Sequence, residues 1–221
     1  MSFCPSAVIF DMDGLLVDSE PVWNKVETAV IEARGKVVTP ERNAGLVGLR
    51  LDEYWAGMCR AYQIDENPQT LANEAISNMC GMIAEHVVTR AGALELIEFL
   101  LAQNVPVAIA SSSPKVIIDT VVETHGWRDV FRVRVSGDEV ARGKPAPDVY
   151  LEAARRIGAN PAETLALEDS VNGARAAVAA GMVCYAVPDL THATHAMFDL
   201  VTPHVFDSLD AVLAQIRTCF L

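Results

Sequence analysis

Two carboxylates stand two residues apart in Asp11-Met-Asp-Gly14, directly after the apolar run Ala7 to Phe10. Carboxylates are the groups that attack covalently or move protons in many active sites. Three further clusters carry chemistry. Ser111 opens Ser111-Ser-Ser-Pro114 with a hydroxyl, Lys144 places a cation in Arg142-Gly-Lys-Pro-Ala-Pro147, and Glu168-Asp169-Ser170 adds two more acids. Four carboxylates, one hydroxyl and one amine make a coherent set only if the fold brings them together.

Each cluster alone also reads as local structure. Asp-Gly is a common turn pair. Glu168-Asp169-Ser170 can cap and charge a helix N-terminus. Ser111-Ser-Ser-Pro114 can be a plain helix start, and that is the reading taken for Ser113. Gly143-Lys144 resembles the end of a Walker phosphate loop, but five residues separate Gly137 from Gly143 and Pro145 follows the lysine, which excludes it. A shared site is favoured because the clusters fall at strand ends, in chain order.

The elements that must position them follow from hydropathy. Short apolar runs at 7–10, 105–110, 165–167 and 183–187, with a weaker one at 130–135, predict buried strands that stop at polar turns. Helical periodicity appears at 93–102, 116–125, 148–157, 172–180 and 207–220. Pro114 suits a first helical turn, Gly181 a C-cap and Ser208 an N-cap. Alternating strands and helices specify a Rossmann-like, three-layer α/β core with a parallel sheet covered on both faces. Residues 21–34, 52–62 and 69–86 read as helices with no strand between them. They predict an inserted helical cap domain over 19–87, with 1–18 and 88–221 forming the core. The hinges should lie near 15–19 and 87–92.

Composition limits the partners. The 221 residues carry 17 Lys and Arg against 29 Asp and Glu, a net charge of −12. Such a surface disfavours nucleic acids and anionic membranes, whose binding needs clustered cations. Five scattered cysteines without a C-x-x-C pair argue against a disulfide framework. No apolar stretch is long enough to span a bilayer. A cytoplasmic monomer is expected, and His192-x-x-His195 lacks the companions of a metal site.

The ordered set of Asp11-Met-Asp-Gly14, Ser111, Lys144 in Gly-Lys-Pro and Glu168-Asp169 resembles the haloacid dehalogenase-like superfamily of phosphohydrolases. The helical insertion resembles the small cap of its sugar-phosphatase branch. The stretches Asp11 to Trp23, 48–53 and 166–173 look most like hexitol and 2-deoxyglucose-6-phosphate phosphatases. The resemblance implies that Asp11 is a nucleophile forming an aspartyl-phosphate and that Asp13 is the general acid and base. It implies Mg²⁺ on the Asp11 carboxylate, the Asp13 main-chain carbonyl and the Asp169 carboxylate, with Glu168 behind them. Ser111, Ser112 and Lys144 are then expected to hold the phosphate of a small phosphorylated metabolite.

From the cap, Glu20 and Arg50 are expected to face the leaving group. Trp23 is weighed equally as a contact of that kind and as cap core. With Mg²⁺ and Lys144 in place, the four carboxylates still leave one net negative charge, so one carboxyl, Asp13 first, is expected to hold a proton. Two alternatives stay open. One is β-phosphoglucomutase-like transfer, weakened by Trp23 and by Ser113-Pro114-Lys115 where that branch has histidine and Ser-Lys-Asn. The other is a catalytically silent sugar-phosphate-binding module.

Overall fold

The computed structural model describes residues 3–39, 42, 46, 51–190 and 193–220. At its centre is β1 (Ala7–Phe10), buried throughout. It pairs in parallel with β4 (Val107–Ser111) on one side and β6 (Thr164–Glu168) on the other. Outside these lie β5 (Val133–Ser136) and β7 (Val183–Ala186), giving the order β5-β4-β1-β6-β7. The chain runs outward from β1 to β5, then returns to build the other half. The strand order therefore reverses at β1, and a ligand crevice belongs at the carboxyl ends of the strands around it.

Side chains alternate across this sheet, as the pleat requires. Val8, Phe10, Val107, Ile109, Leu165 and Leu167 enter one apolar layer with helices α4 (Ala93–Ala102), α5 (Lys115–Thr124) and α8 (Leu209–Arg217). Ile9, Ala108, Ala110 and Ala166 face the other layer, under α6 (Asp148–Ile157) and α7 (Val171–Ala179). The second layer is rich in alanine on both sides.

Most elements lie within two or three residues of their expected positions. Helix α8 is shorter than the expected 207–220, but Ser208 does cap it, accepting from the Ala211 amide at 3.2 Å. Pro114 stands at the N-cap of α5 rather than inside its first turn. Gly181, with φ +81°, follows the end of α7 in the left-handed conformation that glycine adopts without steric cost.

Helices α1 (Glu20–Glu32), α2 (Leu51–Tyr62) and α3 (Pro68–His86) occupy the inserted stretch. They are bounded by two short strands, β2 (Val17–Asp18) and β3 (Val88–Thr89), which pair antiparallel. The two connections expected to be hinges thus form one hydrogen-bonded ribbon, and Arg90 N–H also donates to the Leu16 carbonyl at 2.9 Å. Among the described residues no helix is long and apolar enough to cross a membrane.

Candidate active site

Parallel register brings the strand ends level. Phe10 pairs with Leu167 and Ile109, so Asp11 emerges beside Glu168 and near Ser111. The Asp11 amide continues the ladder, donating to the Leu167 carbonyl at 2.9 Å. From the segment before α6, Lys144 Nζ reaches Asp11 Oδ1 and Glu168 Oε1, both at 2.6 Å. Glu168 is fully buried, and its acceptors are heavily used. Its Oε1 also accepts from Tyr150 Oη at 2.7 Å, and its Oε2 accepts from Ser170 Oγ at 3.1 Å. Gly173 makes room for this carboxylate, since a Cβ there would lie 1.9 Å from Oε1.

Asp13 occupies a different environment. Its Oδ1 accepts from Ser19 Oγ at 2.7 Å, and its Oδ2 accepts from Ser111 Oγ at 3.2 Å and Ser113 Oγ at 2.8 Å. Ser19 is completely buried at the junction between β2 and α1, so this acid connects the sheet edge to the inserted helices. Ser111 Oγ in turn accepts the Ser113 amide at 2.9 Å. Gly14 turns the chain with φ +78°, and a Cβ there would meet Asp169 Oδ2 at 2.2 Å.

Charge is concentrated here with incomplete compensation. One oxygen from each of Asp11, Glu168 and Asp169 can be chosen so that all three lie within 4.8 Å of one another. Burial, helped by the Glu168 and Asp13 charges and opposed by Lys144, pushes the Asp11 carboxyl up to about 8. Burial and the charges of Asp11 and Glu168 raise Asp169 well above the carboxylate range. Burial opposes the Lys144 charge, but Asp11 and Glu168 outweigh it and hold the amine protonated above its ordinary pKa. Three acids against one ammonium, all with oxygen donors, suit a hard divalent cation such as Mg²⁺. Asp11 and Asp169 fit as its ligands better than Glu168, whose two oxygens are engaged by Lys144, Tyr150 and Ser170.

The fold therefore assembles Asp11, Asp13, Ser111, Lys144, Glu168 and Asp169 in one crevice. Ser112 is half-buried beside Ser111, with Gly137 packed so closely that a Cβ there would be 3.2 Å from the Ser112 carbonyl oxygen. Glu20 opens α1 half-buried, and its charge contributes to the raised pKa of Asp169. Trp23 is buried within the apolar cluster, so packing accounts for it. Arg50 and His192 lie outside the described residues, while His195 is 3.5 Å from Asp207 on the surface.

Three site residues escaped sequence reasoning. Ser113 sits in the serine run yet is not a plain helix start, because its hydroxyl reaches Asp13. Ser19 looked like hinge. Tyr150 falls within the helix expected at 148–157 with no role of its own, and only the buried position of Glu168 gives its hydroxyl a partner.

Comparison with known proteins gives the family and the fold. The sequence model for haloacid dehalogenase-like hydrolases matches residues 5–181. A bifunctional riboflavin kinase/FMN phosphatase of Arabidopsis thaliana is 34% identical over 191 residues, 86% of this chain and 50% of the relative. The chain thus spans half the length of that relative. Hexitol phosphatase B of Escherichia coli (strain K12) is 33% identical over 192 residues, 82% of this chain and 83% of the relative. Among solved structures, CbbY from Rhodobacter sphaeroides in complex with phosphate superposes with a TM-score of 0.86 at 26% identity, covering 96% of this chain and 99% of that one.

Proposed function

From the premise that this chain belongs to the haloacid dehalogenase-like hydrolase family, we propose that it is a Mg²⁺-dependent phosphatase of small sugar or sugar-alcohol phosphates. The carrying observation is the pair of carboxylates after β1 in unlike surroundings. Asp11 is buried against Lys144, whereas Asp13 is held by three hydroxyls.

In this reading Asp11 attacks the phosphorus and displaces the sugar oxygen, giving an aspartyl-phosphate. Asp13 gives its proton to the departing oxygen. It then takes one from the water that cleaves the aspartyl-phosphate to orthophosphate, which restores Asp11. Lys144, Ser111 and the amide at Ser112 bind the transferring oxygens. Asp11, Asp169 and the Asp13 main-chain carbonyl would hold Mg²⁺, which would neutralise charge on the phosphoryl group. Glu168 orients Lys144. Residues 19–87 act as a cap on the core formed by 1–18 and 88–221, with Glu20 toward the leaving group. The hexitol phosphatase relative supports a sugar-alcohol substrate.

The test is hydrolysis of p-nitrophenyl phosphate with Mg²⁺ and with a chelator, followed by a panel of hexose and hexitol phosphates. Metal-dependent release of phosphate is expected, greatest for the sugar-alcohol phosphates. No release from any ester sinks the proposal. Interconversion of glucose 1- and 6-phosphates in place of hydrolysis would make the chain a mutase.

A further inference from the structure

Tyr150 is fully buried on the face of α6 that packs against the sheet, and the proposed chemical steps give it no part. It makes two separate approaches to the catalytic cation. Its hydroxyl donates at 2.7 Å to Glu168 Oε1, the same oxygen that accepts from Lys144 Nζ at 2.6 Å. Its ring centroid lies 5.2 Å from Lys144 Nζ, within cation–π range. We propose that Tyr150 is a positioning residue that fixes the direction of the Lys144 ammonium, and this inference rests on the phosphatase reading above.

A lysine side chain has four flexible carbons and three equivalent donors, so one anchor does not set where its third N–H points. Here Asp11 Oδ1 takes one donor and Glu168 Oε1 another. That second anchor is only as fixed as the carboxylate itself. Ser170 Oγ restrains Oε2, whereas Tyr150 Oη is the further donor on Oε1. Without the phenol, Glu168 can turn about its last bond and carry the ammonium with it. The ring limits the same movement from a second direction. Partners behind a ligand commonly matter by factors of about 10–100 when removed.

If Tyr150 works through Lys144, its loss must count only when Lys144 is present. The test is a double-mutant cycle read by calorimetric titration of the Mg²⁺-loaded protein with inorganic phosphate. Tyr150→Phe should weaken phosphate about tenfold when Lys144 is present and less than about twofold in the Lys144→Met background. Tyr150→Leu, which removes the ring as well, should weaken it further when Lys144 is present. Equal losses in both backgrounds, or no loss with Lys144 present, overturn the proposal.

Should Lys144→Met bind too little phosphate to titrate, the nitrogen resonance of the Lys144 ammonium decides. A fixed, buried ammonium exchanges its protons slowly, and Tyr150→Phe should speed that exchange; exchange unchanged by Tyr150→Phe overturns the proposal. Should Tyr150→Phe fail to fold, the wild-type resonance decides alone, and an ammonium that exchanges as fast as free lysine overturns the proposal. Phosphate binding by a wild-type protein that hydrolyses no ester overturns the phosphatase reading alone. No phosphate binding by the wild-type protein overturns both.

Discussion

Lys144 Nζ and Asp11 Oδ1 meet at 2.6 Å, both buried, although 133 positions separate the two residues in the chain. The ammonium is shared with Glu168, so Asp11 keeps a cationic neighbour without being the only anion it serves. A buried cation between two acids is costly to leave half-paired, and substitutions at either acid should have unequal effects on stability and on chemistry.

Asp11→Asn removes the carboxylate proposed to attack while retaining a carbonyl that can accept from Lys144. The variant should fold, lose at least about 10³ in kcat, and form no phosphoryl-enzyme. Rapid quenching with labelled substrate, followed by intact-protein mass measurement, detects the adduct. Labelled Asp11→Asn protein would show that the nucleophile lies elsewhere.

Stability of the metal-free protein should fall with rising pH. Asp11 at about 8, and Asp169 well above its usual value, bind protons more tightly in the native state than in the unfolded chain. Their contribution is complete below the unfolded value of 3.8 and is lost as pH rises, for Asp11 through about 8. Mg²⁺ held by these carboxylates would compete with those protons. It should therefore raise the unfolding temperature more at about pH 8 than at about pH 5.5, and a chelator should reverse the gain. Equal shifts at the two pH values would contradict this.

Two glycines are set by the acids they face. Gly173→Ala would put a methyl 1.9 Å from Glu168 Oε1, and Gly14→Ala would put one 2.2 Å from Asp169 Oδ2 at a left-handed φ of +78°. Each should cost about 1–3 kcal/mol in urea unfolding and about 10–100-fold in kcat/KM. Gly126→Ala, also left-handed but with nothing within 4 Å, isolates the backbone component at about 1 kcal/mol with activity intact.

Away from the crevice, Glu27 on α1 accepts from Tyr54 Oη at 2.5 Å. Burial pushes this carboxyl up to about 7, against the Tyr54 hydrogen bond and with help from Glu20. Its favourable contribution is present below the unfolded value of 4.5 and disappears as pH rises through about 7. Glu27→Gln should therefore stabilise the protein by roughly 1–3 kcal/mol at about pH 8 and change little at about pH 4. Unfolding curves at the two pH values check it, and a uniform effect would locate the change in packing instead.

Much of the sheet was legible because each buried strand is a short apolar run ended by polar residues, a signal carried by adjacent positions. Asp11, Asp13, Ser111 and the Glu168-Asp169 pair stood out for the same reason, whereas Lys144 stood out as a lysine in a Gly-Lys-Pro turn before a helix. Tyr150 did not, because on a helix it is one apolar-face residue among several until its neighbour is known. Ser113 does enter α5, one residue before its N-cap, but its hydroxyl's reach to Asp13 depends on a contact 100 positions away. Trp23 was balanced between two environments, and packing decided for the apolar cluster.

By itself the sequence determined which reactive groups exist, in what order, and that parallel strands would deliver them to one edge. Tertiary structure alone decided how they share the work. It put Lys144 between Asp11 and Glu168, spent the Glu168 oxygens on Tyr150 and Ser170, and gave Asp13 three hydroxyls. The reason is physical. Hydropathy and turn chemistry act along the chain, whereas desolvation, Coulomb attraction and hydrogen bonding depend on distances that only folding sets.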